Sequence, residues 1–174
     1  MKKNKALLPA PEGTLVERVI QQLESLFDEV LISVTQKKNF LFLPYKLVTD
    51  EKSGQGPMMG IKSALSCSLN PKSFVIACDI PDIDLVLIER MIEQAGQYEI
   101  VIACSHRGMK EPLFGIYSKS VLPKMSRLLD SGERSLLPLF EICRTKEVTI
   151  KNGTWFRNLN TLQDYEKYLN TLSD

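Results

Sequence analysis

The chain has 174 residues, 44% hydrophobic and 25% charged, enough for one domain with a full core and too few for two. Its 22 basic and 21 acidic residues leave a formal net charge of +1, which excludes the broad basic field of a nucleic-acid binder or a ligand of anionic membranes. No apolar run approaches the roughly 18 residues of a membrane span, and Met1 is followed by charge rather than the apolar core of a signal peptide, so the cytoplasm is the expected compartment.

The opening stretch, MKKNKALLPAPEG, passes from polar residues through a short apolar turn straight to a helix start. Gly13-Thr14-Leu15-Val16-Glu17 has capping-box spacing, in which the Thr14 hydroxyl takes the Glu17 N–H and the Glu17 carboxylate reaches back to Thr14. Leu15, Val16, Val19, Ile20, Leu23, Leu26 and Phe27 recur at three- and four-residue spacing, which predicts one apolar helix face as far as Phe27. "EVLISV" is a β-branched run without strict alternation, as in a strand covered on both faces, and "KLVTD", "SFVIACDI" and "EIVIAC" repeat the pattern. Between them, Pro57 to Leu69 opens with a proline suited to a first helical turn, and Ile83 to Ala95 stops at Gly96. Strands alternating with such helices predict a single α/β domain over residues 1–174, a mainly parallel sheet with helices on both faces.

After Arg107 the pattern changes. "PLFGIYS" reads as a strand, "VLPKMSRLLDSG" as a helix closed by Gly132, and "RSLLPLFEIC" as a helix that Pro138 is expected to kink. "KEVTI" and "TWFRN" flank Asn152-Gly153, the dipeptide suited to a tight hairpin, and Thr161 with Asp164 caps a last helix to about Leu172. Cys67, Cys78, Cys104 and Cys143 lie far apart without a C-x-x-C pair, so they read as buried small hydrophobes rather than a metal or redox site. His106 has no second histidine to share a metal and reads as a surface-loop residue.

In an open parallel sheet, ligands bind beyond the carboxyl ends of the strands. Polar and glycine residues gather at those ends here: Asp50 closes "KLVTD", "GQGPMMG" precedes a helix, Asp79 closes "SFVIACD", and "RNLNT" follows "TWF". Gly54, Gly56 and Gly60 permit close backbone approach to a ligand, and the helix N-terminus that follows favours negative charge.

Asp50 with "GQGPMMGIKSAL", then "ACDIPDI", "EPLFGIY", "GERSLLPLFE" and "FRNLNTLQDY" resemble, in that order and nearly end to end, the landmarks of the molybdenum cofactor guanylyltransferase family. The resemblance implies a three-layer Rossmann-like nucleotidyltransferase fold. It also implies transfer of GMP from GTP to the terminal phosphate of molybdopterin, with pyrophosphate released and Mg²⁺ as cofactor. By the same resemblance Lys5 and Asp79 are catalytic. Asp79 binds the metal with Asn160 as a second ligand, and Lys5, Ser33, Asp50, Gly56, Pro57 and Asp79 form the nucleotide site. Glu111, Arg134, Asn158 and Asn160 fall on the molybdopterin side. The implied partners are GTP, the molybdopterin cofactor and a molybdoenzyme or cofactor-delivery protein, with no nucleic acid and no membrane.

Family members begin with a strand and a glycine-rich signature, and Met1-Lys2-Lys3-Asn4-Lys5-Ala6-Leu7-Leu8-Pro9 is similar only to the tail of that signature. The first strand and most of the loop are therefore expected to be missing, either because Met1 is an internal methionine of a longer protein or because the lineage lost them. Loss of even one oxyanion-stabilising donor costs about 10²- to 10³-fold in rate, so the chain as written is expected to be a poor or inactive catalyst. Two other readings stay open: a cytidylyltransferase or sugar-phosphate nucleotidyltransferase of the same fold, and a non-catalytic module that binds or delivers molybdopterin.

Overall fold

Thr14 starts the first helix in the computed structural model, which describes residues 4–11, 13–150 and 158–172. Its hydroxyl accepts the Glu17 N–H at 3.5 Å while the Glu17 carboxylate accepts the Thr14 N–H at 2.8 Å, the reciprocal cap that the spacing predicts. Helix α1 spans Leu15–Leu23, short of the Phe27 that periodicity suggests, because the chain turns after Glu24. Leu26 and Phe27 still reach the core, from the turn. A two-residue antiparallel ribbon, β1 (Pro9–Ala10) with β2 (Gly13–Thr14), leads into this helix.

The apolar runs become β3 (Leu31–Val34), β4 (Lys46–Thr49), β5 (Lys72–Ile76) and β6 (Ile100–Cys104). Two further strands are β7 (Lys110–Ser118) and β8 (Thr145–Thr149). Strands β3 and β4 pair in parallel as one sheet; the other has the order β5-β7-β6-β8, with β6 parallel to β8. Strand β7 runs antiparallel to both neighbours. The cause is connection length: residues 105–109 join β6 to β7 through a turn closed by Ser105 and Met109, and a parallel return would need a crossover of about a dozen residues. Strands β5 and β6, each opposed to β7, therefore point the same way, and the sheet keeps its mainly parallel character.

The helices are α2 (Gly56–Cys67), α3 (Leu85–Gln94), α4 (Leu122–Asp130), α5 (Leu137–Ile142) and α6 (Leu162–Thr171). Val19 and Leu23 of α1 with Leu87, Ile88 and Met91 of α3 cover Val101, Ala103, Phe114 and Ile116 on one face. Met58, Ile61 and Leu65 of α2, Met125 of α4 and Leu139 and Phe140 of α5 cover Ile100, Ile102 and Tyr117 on the other. Alternate residues along each strand thus serve opposite layers, which is why the runs lack polar alternation.

Several details differ from the sequence expectation. Pro138 lies in the first turn of α5 and opens that helix instead of kinking it, since a first-turn proline gives up no intrahelical hydrogen bond. Only Cys104 is buried; Cys67, Cys78 and Cys143 are half-buried, and all four are free. Of the expected hairpin, one arm is β8, whereas Asn152-Gly153 and the "TWF" arm lie outside the described residues. His106 is exposed in the β6–β7 turn. Among the described residues no helix is long and apolar enough to cross a membrane.

Candidate active site

Strand β5 delivers Asp79. The Ala77 N–H donates to Leu113 O at 3.0 Å and the Ile80 N–H to Ala77 O at 3.2 Å, so a tight turn follows the strand and lifts the Asp79 side chain from the core. Lys5 meets it from the amino-terminal side, with Nζ 3.8 Å from Asp79 Oδ2. A single helical turn, Lys5–Leu7, holds the lysine: Asn4 Oδ1 caps it by accepting the Ala6 N–H at 3.2 Å, and Ala6 is buried against Ile32 and Val34. Both charged side chains keep some solvent access, 30% for Lys5 and 22% for Asp79, so neither is committed to a sealed ion pair. Neighbouring Cys78 is more enclosed, and burial together with the Asp79 charge pushes its thiol up to about 11.

The carboxy-terminal asparagines arrive at the same place. The Leu159 N–H donates to the Asp79 backbone oxygen at 2.9 Å, which sets Asn158 and Asn160 on either side of that contact. The Asn160 N–H bonds Asn158 O at 2.8 Å, and the Asn158 amide donates to Glu111 Oε2 at 3.4 Å. Among the described residues Asn158 Oδ1 has no hydrogen-bond partner, a buried acceptor. Helix α6 begins directly afterwards, its cap made by Thr161 and Asp164. Ser105, Lys110, Glu111, Asn158, Asn160 and Tyr168 are among the residues lining a cavity of about 630 Å³ between the β6–β7 turn and α6. Lys110 is held there by Glu147 at 2.9 Å.

A second group surrounds the start of α2. A Cβ built on Gly60 would lie 3.3 Å from Ser33 Oγ and 3.5 Å from Asp50 Oδ1, so glycine keeps open a nook whose rim is those two polar groups. Burial raises the Asp50 carboxyl above its ordinary value. Gly56 has φ +74°, the left-handed conformation glycine permits, and turns the chain into Pro57 and the buried Met58 and Met59. The loop from β4 is tied down by the Glu51 N–H donating to Ser63 Oγ at 3.1 Å and by the Lys62–Glu51 ion pair.

Lys5, Asp79, Asn158, Asn160 and Glu111 therefore converge, while Ser33 and Asp50 rim a separate nook at Gly60 and Gly56 and Pro57 open the same helix. Arg134 stands apart from Glu111: its guanidinium closes α4 through Leu129 O at 3.0 Å, and its backbone lies against Gly56. Sequence reasoning missed Ser105, Lys110 and Tyr168. A surface lysine and a helix tyrosine look ordinary until the β6–β7 turn brings them to one cavity. Among the described residues no three His, Cys, Asp or Glu side chains cluster, so a cation here would depend on Asp79 and on oxygens brought by its ligand.

A three-layer α/β/α fold with acidic and basic groups gathered past the strand ends, beside a glycine-opened helix, is the build of a nucleotide-handling transferase. The chain belongs to the family of the MobA-like NTP transferase domain, whose model matches residues 1–147. It is 29% identical over 180 residues to a probable molybdenum cofactor guanylyltransferase of Carboxydothermus hydrogenoformans, covering 99% of this chain and 90% of that one. A protein of the same description from Pelotomaculum thermopropionicum is 31% identical, over 96% of this chain and 84% of its own. Among solved structures, molybdopterin-guanine dinucleotide biosynthesis protein A from Archaeoglobus fulgidus superposes with a TM-score of 0.83 at 21% identity, covering 99% of this chain and 92% of that chain.

Proposed function

We propose that the protein transfers GMP from GTP to molybdopterin, forming molybdopterin guanine dinucleotide and releasing pyrophosphate. The observation that carries this reading is the meeting of Lys5, Asp79 and the Asn158–Asn160 segment at the carboxyl end of β5, where Asn158 and Asn160 also line the cavity. The attacking phosphate is ionised near neutral pH, so the site needs charge neutralisation and alignment more than a strong base. Lys5 offers its ammonium to the phosphates. Asp50 and Ser33 accept or share hydrogen bonds with the base or ribose, and Gly56-Pro57 lets that group approach the backbone of α2. Glu111 and Asn158 receive N–H donors of the pterin, while Arg134 steadies the α2 loop from behind.

An oxygen-only set of one carboxylate and one amide, open to water and phosphate, suits Mg²⁺, and Asp79 with Asn160 would hold it. Such an ion supplies charge stabilisation at the reacting phosphate. The product would pass to a molybdoenzyme or a cofactor-delivery protein in the cytoplasm. The test is Mg²⁺-dependent pyrophosphate release from GTP with Mo-loaded molybdopterin, with CTP in parallel and Asp79→Ala as control. GTP-dependent release that is lost in Asp79→Ala is the expected result; a variant with full activity refutes the metal assignment, and preference for CTP refutes the choice of base.

A further inference from the structure

Helix α1 reaches the loop that carries Asp79. The Gln22 side chain donates from Nε2 to Pro81 O at 2.8 Å and accepts the Ile83 N–H on Oε1 at 3.2 Å. Its nitrogen also donates to Arg18 O at 3.0 Å, one turn back on its own helix. Two carbonyls face the nitrogen and one N–H faces the oxygen, so a single orientation of the amide satisfies all three contacts. The support is rigid, since Leu15, Val19 and Leu23 of the same helix are buried, and Gln22 itself is half-buried. A glutamine on a packed helix thus holds the loop at Pro81 and Ile83, just past Asp79.

The grip passes back to Asp79 because few soft torsions lie between. Proline fixes φ at about −65° and confines the residue before it to extended backbone, so Ile80 and Pro81 have little freedom once the Pro81 carbonyl is held. Ile80 is fully buried, and its N–H closes the turn on Ala77 O. From the other side the Leu159 N–H holds the Asp79 carbonyl at 2.9 Å. Arg18 also pairs with Asp82 at 3.3 Å, but the Asp82 side chain is 55% exposed, and an ion pair so open to water restrains the loop little. The contacts of Gln22 are with backbone, so any influence it has on the reaction runs through Asp79.

We propose that Gln22 is a positioning residue that sets the aim of the Asp79 carboxylate. The inference rests on the part given to Asp79 in the proposed transfer. Displacing an aligned group by 1 Å can cost about 10²-fold in rate. Loosening the loop at Gln22 while Leu159 still holds it should lose part of that, about tenfold.

Gln22→Met keeps the length of the side chain and removes its hydrogen bonds. Its kcat for pyrophosphate release should fall about tenfold while KM for GTP stays within about twofold, because the nook of Ser33 and Asp50 is built on other elements. The Ile83 amide should exchange about tenfold or more faster, with Val101 and Ile102 unchanged. In an Asp79→Ala background the same substitution should lower kcat by less than about twofold, since a residue that acts through another adds nothing once that one is gone. Should Gln22→Met fail to fold, Gln22→Glu is the second variant: it keeps the acceptor for Ile83, loses the donor to Pro81, and should show the same fall in kcat and the same non-additivity. A tenfold loss that recurs in the Asp79→Ala background overturns the proposal, as does an unchanged kcat alongside a freed Ile83 amide. Full activity in Asp79→Ala alone refutes the role of Asp79 and this inference with it, whereas a large loss there beside an unaffected Gln22→Met refutes the positioning role only.

Discussion

Strands β5 and β6 are nearly the same text, "SFVIAC" and "IVIAC", and they meet different fates. All five residues of β6 are buried, whereas all five of β5 are half-buried. Composition does not separate them; neighbours do. Strand β6 has β7 on one edge and β8 on the other, while among the described residues β5 has β7 alone. Burial of a strand is thus a property of the pairing around it, and the less enclosed strand is the one that carries Asp79 to the candidate site.

The largest effect expected is one of activity without stability. Asp79→Ala should lower pyrophosphate release by about 10²-fold or more, as losing a charge-stabilising group does. Its pairing with Lys5 is loose and partly exposed, so thermal stability should shift by less than about 0.5 kcal/mol. A large loss of stability would show that the end of β5 is structural, and would remove the contrast with β6.

Matched isoleucines probe the contrast directly. Ile102 of β6 is 0% exposed, and Ile102→Ala should cost about 2–5 kcal/mol in denaturant unfolding. Ile76 of β5 keeps part of its surface in water, so Ile76→Ala should cost roughly half as much, in proportion to the area it buries. Equal costs would mean that β5 is as enclosed as β6.

Gly115 sits between the two, on β7. A Cβ built there would lie 2.9 Å from the Val101 oxygen and 3.0 Å from Ile102 Cγ2, both on β6, with Tyr117 Cε2 next at 3.3 Å. Gly115→Ala should therefore cost about 1–3 kcal/mol by overpacking. The strain should fall on the β6 side, with hydrogen exchange accelerated at Val101 and Ile102 and little changed at Ser73.

Local signals carried most of this fold, and pairing carried the rest. The Thr14 and Thr161 caps, the helix faces and the apolar strands were legible because each depends on residues three or four apart or on one unbroken run. The direction of β7 was not, since it follows from a short connection whose length is known only once both strand ends are fixed. Asp79 and Asn160 could be grouped because each was assigned to the same edge of the sheet, and Lys5 joined them only through the family resemblance. Arg134 could not be placed with them from sequence, because the carbonyls at the end of α4 determine where its guanidinium points. Lys110 and Tyr168 reach the cavity through long-range packing and leave no spacing to read.

The smallest effect concerns how each strand is entered. Strand β6 is preceded by Glu99, whose carboxylate accepts the Arg144 N–H at 3.0 Å and the Lys124 ammonium at 2.9 Å. The Arg144 backbone bond first, then Lys124, holds this carboxyl below its ordinary value. A group with a depressed folded-state value contributes stability above its unfolded value, and that contribution is lost as the pH falls through the folded one. Unfolding free energy should therefore decline as the pH drops below about 4.5, and Glu99→Gln should remove that part of the decline, under about 1 kcal/mol after solvent screening. At the entry to β5 the Lys72 ammonium meets the carbonyls of Ala95 and Gly96, a cation on neutral oxygens, beside the Glu29 carboxylate that accepts the Leu69 N–H at 2.9 Å. Lys72→Met should accordingly leave the acid limb unchanged. A Glu99→Gln curve that parallels the wild type at every pH would show that the Glu99 tie adds nothing to the acid limb, and that edge pairing rather than this anchor distinguishes β6.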